Sequence, residues 1–193
     1  MSMVSNEPEK AKIFKIERGD GSEYEGELDE EEQPHGEGVE KKDSGKYEYK
    51  GEWKHGVKEG HGIERDERRG EMYNGNFKGG VRNGQGALVR GDGYSYEGEW
   101  VDNLPQGKGL EKFATGDKYE GEFVKGFREG KGELRMKDGS LFSSYWKQGV
   151  REGEGFEMHP DGQKFEGSYK NGLREGKGKL ISINGQSYEG DWH

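Results

Sequence analysis

Large apolar side chains alternate with polar ones along this chain in short runs that recur every 23 to 25 residues. The stretch YEGEFVKGFREGKGELRMKDG, residues 119–139, is one copy of the pattern. If its first aromatic is position 0, glycine follows at position 2 and a second large apolar residue at position 4. The copies begin at Tyr24, Tyr49, Tyr73, Tyr96, Tyr119, Phe142, Phe165 and Tyr188. The chain is therefore built from tandem units.

Each unit predicts a hairpin of two antiparallel strands. Successive strand residues point to opposite faces, so positions 0, 2 and 4 share one face and the acidic residues between them face water. A helix would scatter these positions around its axis, and this density of glycine would destabilise it. Glycines at positions 11 and 13 open the second strand. A pair such as Asp138-Gly139 then closes the unit as a tight turn.

The unit resembles the MORN repeat over residues 24–192. It combines an aromatic-x-Gly-x-Trp strand, a glycine turn and a Gly-x-Gly strand, at a period of 23 residues in most copies. The resemblance implies an all-β fold: a single elongated, twisted antiparallel sheet of tandem hairpins. It would hold about seven full repeats, a capping strand and a final half repeat. We assign residues 1–10 to a disordered N-terminal tail, residues 11–23 to the capping strand and its turn, and residues 24–193 to the array.

Composition and charge narrow the class of protein. Charged residues make up 37% of the chain and hydrophobic residues 26%, which is typical of disordered proteins, but the regular placement of the aromatics indicates a folded array. A net charge of −9 opposes binding to nucleic acid and disfavours anionic lipid. The chain has no cysteine and no apolar run as long as a signal peptide or a membrane span. We therefore expect a soluble cytoplasmic protein.

The side chains that could carry out chemistry show no catalytic arrangement. Of the five histidines, His55 and His61 lie six residues apart across a turn, which is not the spacing of a metal site. No serine lies in a nucleophile elbow, and the periodic carboxylates indicate a solvated sheet face. The sequence therefore predicts that the protein is not an enzyme and has neither a metal nor a cofactor.

The aromatic face is the first candidate partner-binding surface, because a single sheet has no second layer to cover it. Alternatively, these rings are the core of the one-layer sheet. The position-4 residues expected to line this aromatic trough for a partner are Trp53, Phe77, Trp100, Phe123, Trp146, Tyr169 and Trp192.

A column of basic side chains at position 9 is the second candidate surface. The column either pairs with glutamates across each hairpin or receives an acidic or amphipathic partner segment. Its members are Lys58, Arg82, Arg128, Arg151 and Arg174. The last strand, which begins near Tyr188, offers unpaired backbone groups and predicts an end-on dimer or the addition of a partner's strand.

These features favour a non-catalytic scaffold that binds a helix or strand of a protein partner. The array resembles the MORN arrays of radial spoke head proteins, which implies an axoneme of a cilium or flagellum and association with the cytoskeleton. Three alternatives remain open: an adaptor for myosin or the cortical cytoskeleton, a membrane tether, and an accessory region of a larger enzyme. The last follows from the resemblance too, since MORN arrays also precede lipid kinase and methyltransferase domains.

Overall fold

The computed structural model describes residues 12–193 and contains one antiparallel sheet of sixteen strands, arranged side by side in chain order. This architecture confirms the predicted all-β array. The predicted tail, residues 1–10, lies outside the described residues. The strands are β1 (Phe14–Glu17), β2 (Glu23–Leu28), β3 (Pro34–Lys42), β4 (Tyr47–Lys54), β5 (Val57–Asp66), β6 (Glu71–Lys78), β7 (Val81–Arg90), β8 (Ser95–Val101), β9 (Leu104–Lys112), β10 (Lys118–Val124), β11 (Phe127–Arg135), β12 (Leu141–Lys147), β13 (Val150–Met158), β14 (Lys164–Lys170), β15 (Leu173–Ile181) and β16 (Ser187–Trp192).

The glycines at positions 2 and 13 form a row that crosses the sheet in register. Gly98 lies opposite Gly109 in the same hairpin, and Gly109 lies opposite Gly121 in the next one. The ring of Tyr96 lies over Gly109, where an added Cβ would be 2.6 Å from the Cε2 and Cζ atoms of the ring. The missing side chain therefore makes the space that the position-0 ring occupies, as expected for a glycine covered by an aromatic neighbour.

The aromatic rings of positions 0 and 4 form an edge-to-face chain along one face, continuous from Tyr24 to Trp146. Tyr73 contacts Phe77 of its own unit and Trp100 of the next, with both pairs of ring centroids 5.2 Å apart. The Trp100 indole N–H also donates a hydrogen bond to the Gly86 carbonyl oxygen at 3.0 Å. Such pairs add stability beyond the area that they bury. This contact pattern links successive hairpins as far as Trp146.

The aromatic chain is interrupted in the unit that begins at Phe142. Ser144 replaces the glycine at position 2, and its hydroxyl occupies the space beside Gly155. Phe142 is only partly buried and packs instead against His159, with ring centroids 6.0 Å apart. The main core cluster consequently ends at Trp146.

Replacing one glycine of the row tests whether ring-over-glycine packing holds the sheet together. We expect Gly109→Ala to lower the free energy of unfolding by about 1–3 kcal/mol, because its methyl group would overlap the Tyr96 ring. Urea denaturation measures this change. Gly91→Ala is the matched control, since its Cβ would meet only the Gly70 oxygen, at 3.7 Å. Equal stability of the two variants would contradict this account of the row.

Candidate partner-binding surfaces

The predicted aromatic trough is a buried core. Six of its seven rings expose only 2–6% of their surface, and Trp192 in the last strand is partly buried. The expectation that this face lacks a covering layer is therefore wrong. Neighbouring rings and long charged side chains from the second strands cover it, and together they replace a second sheet.

The predicted basic column supplies much of that cover. The Arg128 guanidinium lies over the rings of Tyr119 and Phe113, with its central carbon 4.5 Å and 4.9 Å from their centroids. It also forms an ion pair with Glu111 at 2.8 Å. Cations in such positions are attracted to the negative faces of the rings. The column therefore lies on the aromatic face.

Each cation of the basic column already has a carboxylate partner within the chain. Glu64 pairs with both Lys58 and Arg82, at 2.8 and 2.7 Å, and Glu157 pairs with both Arg151 and Arg174. The acidic partners are thus position-15 residues of the second strands, and not the solvated glutamates of the first strands that the sequence had suggested. The sequence did contain a signal for this placement. Alternate residues of a strand share one face, so positions 13, 11 and 9 all lie on the aromatic face.

Glu64 shows the electrostatics of this charged layer. Burial opposes ionisation of its carboxyl group, but the Lys58 charge and hydrogen bonds from Lys58, Tyr47 and Arg82 lower its pKa to about 2. The Glu157 pKa is also lowered: burial opposes the shift, and the Arg174 hydrogen bond and charge favour it. Both carboxylates are therefore ionised and stabilise the fold at neutral pH.

A column of exposed apolar side chains runs across the sheet next to the turns that join the two strands of each hairpin. Each member is the first residue of the second strand of its unit. We call this column the apolar ridge; it consists of Val57, Val81, Leu104, Phe127, Val150 and Leu173. All except the partly buried Val81 are 43–72% exposed. Sequence reasoning missed it, although an apolar residue at position 8 in six consecutive units was the signal.

The last strand is paired on one side only, with β15. Tyr188 is 54% exposed there, whereas the equivalent Tyr119 is fully buried. The difference arises because a position-0 ring is covered by the second strand of its own unit, and the part of the chain that the structure describes contains no such strand after β16. No helix among residues 12–193 is long and apolar enough to cross a membrane.

The fold also brings together three side chains that the sequence did not connect. Asp29, His35 and His55 each place a potential metal-binding atom within 4.8 Å of the other two, at the junction of the first two hairpins. His61, which the sequence paired with His55, is exposed and does not belong to this group. Spacing along the chain could not reveal the group, because its members come from two adjacent hairpins.

The charged layer predicts a specific acid sensitivity. Because the folded pKa of Glu64 is about 2 and its usual value is 4.5, its stabilising effect is complete above pH 4.5 and is lost as the pH falls towards 2. We expect Glu64→Gln to be less stable than wild type at pH 7 and to lose less stability between pH 4.5 and 2. Thermal denaturation across this range measures both effects. Glu97→Gln, at an exposed position, should retain the wild-type profile; a parallel loss in all three proteins would refute the assignment.

Comparison with solved structures finds matches at low sequence identity. The G-box domain of the microcephaly protein CPAP is 11% identical, with a TM-score of 0.50 over 94% of this chain and 100% of that one. The TCP10 domain of Danio rerio CPAP is 13% identical, with a TM-score of 0.44 over 92% and 94%. The SAS-4 TCP domain of Drosophila melanogaster, in complex with a proline-rich motif of Ana2, is 13% identical, with a TM-score of 0.35 over 100% and 99%. The likeness to the G-box domain concerns the fold alone, and the two lower TM-scores do not establish a shared fold.

Comparison of sequences identifies the repeat itself. No match was found among curated proteins. The family model described as MORN repeat matches six consecutive units, at residues 49–67, 73–93, 96–118, 119–141, 142–164 and 165–187. MORN is a non-enzymatic type of repeat. Since these matches cover more than half of its residues, the chain belongs to the MORN-repeat family.

Proposed function

We propose that this protein is a non-catalytic scaffold that binds an extended segment of a protein partner along the apolar ridge. The observation that carries this proposal is the ridge itself, an apolar column that recurs in six consecutive hairpins of an otherwise charged surface. It is continuous from Val81 to Phe127 through Val101 and Val124, and lysines alternate with its members at both ends. The aromatic trough is buried, and the basic column is neutralised within the chain. Of the three surfaces, the ridge is therefore the one whose apolar side chains are left exposed for a partner to bury.

The spacing of the ridge selects the conformation of the partner. Adjacent ridge residues are two strands apart, or about 9.6 Å, so five intervals span about 48 Å. A polyproline II segment presents every third residue at about 9.3 Å and falls short by about 1.5 Å over that length. A helix presents every seventh residue at about 10.5 Å and overshoots by about 4.5 Å. The best match is a proline-rich segment with an apolar side chain at every third residue.

The other predicted surfaces have more restricted roles in this proposal. A helix or strand on the aromatic face would contact the charged layer and not the rings beneath it, since Trp100 and Phe123 are only 2–3% exposed. It would also have to compete with Glu111 for Arg128. A strand added to β16 would cover the exposed ring of Tyr188, whether it came from a partner or from a second copy.

Peptide binding tests the ridge directly. The probe is a fluorescein-labelled 18-residue peptide with leucine at every third position and proline at most others, compared with a shuffled peptide of identical composition. We expect wild type to bind the ordered peptide more tightly. Phe127→Glu should weaken that binding about tenfold or more, because it places a charge at the centre of the ridge. Fluorescence anisotropy measures the affinities.

The matched control is Ile183→Glu, which makes the same change at an exposed apolar residue in the turn between β15 and β16, away from the ridge. It should bind like wild type. Equal affinity for the two peptides would show that the ridge does not select the proposed proline-rich segment. If only Arg128→Ala lost binding, the partner would bind the basic column and not the ridge. If the chain sedimented with phosphatidylserine vesicles and Phe127→Glu abolished this, the ridge would bind a membrane and not a protein.

We further propose that the scaffold works in the axoneme of a cilium or flagellum, in a setting like that of the radial spoke head. Support for this location comes from the resemblance of the array, with its acidic first unit, to radial spoke head arrays. We expect a fluorescently tagged chain expressed in a ciliated cell to localise along the axoneme, and Phe127→Glu to reduce that localisation. A uniform cytoplasmic signal for the wild-type chain, or enrichment at the cell cortex, would contradict this location.

A further inference from the structure

The junction between the first two hairpins departs from a rule that other junctions follow. At four of them, the side chain at position 10 accepts a hydrogen bond from the backbone N–H at position 6 of the next unit, with N···O distances of 2.9–3.0 Å. These pairs are Glu59 with Gly79, Gln106 with Lys125, Glu129 with Gln148, and Glu152 with Asn171. At the first junction the same two places hold His35 and His55. His35 thus stands where the other junctions have the acceptor side chain, and His55 stands at the position whose backbone N–H donates in those junctions.

The carboxylate of Asp29 lies beside the two histidines and can serve as an oxygen ligand. One carboxylate oxygen of Asp29, Oδ1, accepts hydrogen bonds from the backbone N–H groups of Glu31 and Gln33 at 3.1 and 2.8 Å. Its other oxygen, Oδ2, lies 2.9 Å from Nδ1 of His55. The turn therefore holds the carboxylate in place and directs one oxygen towards the imidazole. Hydrogen bonds of this kind, made to a ligand and not to the ion, orient the ligands of metal sites.

His35 completes the group of three. Its ring centroid lies 5.4 Å from that of His55, and its Nδ1 atom is buried without a hydrogen bond to any described group of the protein. A buried imidazole nitrogen without a partner destabilises a fold. A metal ion bound at Nδ1 would give this nitrogen a partner, and no other side chain in the described part of the chain does so.

We propose that Asp29, His35 and His55 form a binding site for a zinc-like divalent transition metal ion that links the first two hairpins. Two imidazole nitrogens and one carboxylate oxygen suit zinc, whereas magnesium and calcium select oxygen ligands. Tetrahedral ligands at about 2.1 Å from the ion are about 3.4 Å apart. The three ligand atoms, now within 4.8 Å, must therefore approach slightly. His55 can move, because its side chain is 61% exposed. The fourth position is open to water.

Metal titration of the full chain, free of any polyhistidine tag, tests this site independently of the proposed scaffold function. We expect wild type to bind one Zn²⁺ per chain in isothermal titration calorimetry, and Zn²⁺ to raise its melting temperature. Co²⁺ in place of Zn²⁺ should give the visible absorption bands of a tetrahedral site. Mg²⁺ should not compete. His55→Ala and Asp29→Asn should each weaken Zn²⁺ binding by more than about tenfold, since they remove direct ligands.

The matched control is His61→Ala, which removes an exposed histidine of the same hairpin outside the group. It should bind Zn²⁺ as wild type does. His55 is exposed, so its variant is expected to fold, and far-ultraviolet circular dichroism checks that it does. Failure of wild type to bind Zn²⁺ saturably would overturn the proposal, as would unchanged affinity in folded His55→Ala or an equal loss in His61→Ala.

Discussion

The contact on which this structure depends is an aromatic ring lying over glycine on two adjacent strands. Tyr96 illustrates it, because its ring covers the places where Gly98 and Gly109 lack side chains. A ring that touches backbone on one side and two other rings edge-on buries nearly all of its surface within a single layer. This packing explains how a chain with only 26% hydrophobic residues folds without a second sheet.

Charged side chains complete the core where apolar ones would be expected. Burying Glu157 is costly by itself, but Arg151 and Arg174 both pair with it, and both lie over aromatic rings. Because the cations cover the rings and the carboxylates pair with the cations, neither the aromatic trough nor the basic column is freely accessible to solvent. The apolar ridge, on the margin of the sheet, therefore becomes the stronger candidate for contact with a partner.

Two of the departures from the regular pattern have distinct physical consequences. Ser144 fills the space of a position-0 ring, so the aromatic chain stops at Trp146 and begins again with Phe165. His35 replaces the side-chain acceptor of the other junctions, and with His55 it meets Asp29. In a repeat protein such departures are easy to recognise, because the other units define the regular pattern of contacts.

The sequence by itself determined the strands, their number and their order, because the alternation of faces and the turn glycines are local properties that every unit repeats. It also identified which residues are aromatic, basic or acidic at each position. Only the tertiary structure decided that Arg128 covers Tyr119 and pairs with Glu111, and that His55 meets His35. The contact between Arg128 and Tyr119 lies within one hairpin, and the other two join adjacent hairpins. All three contacts depend on the lateral register of the sheet and on how far each long side chain extends, and neither is encoded in the spacing within one unit.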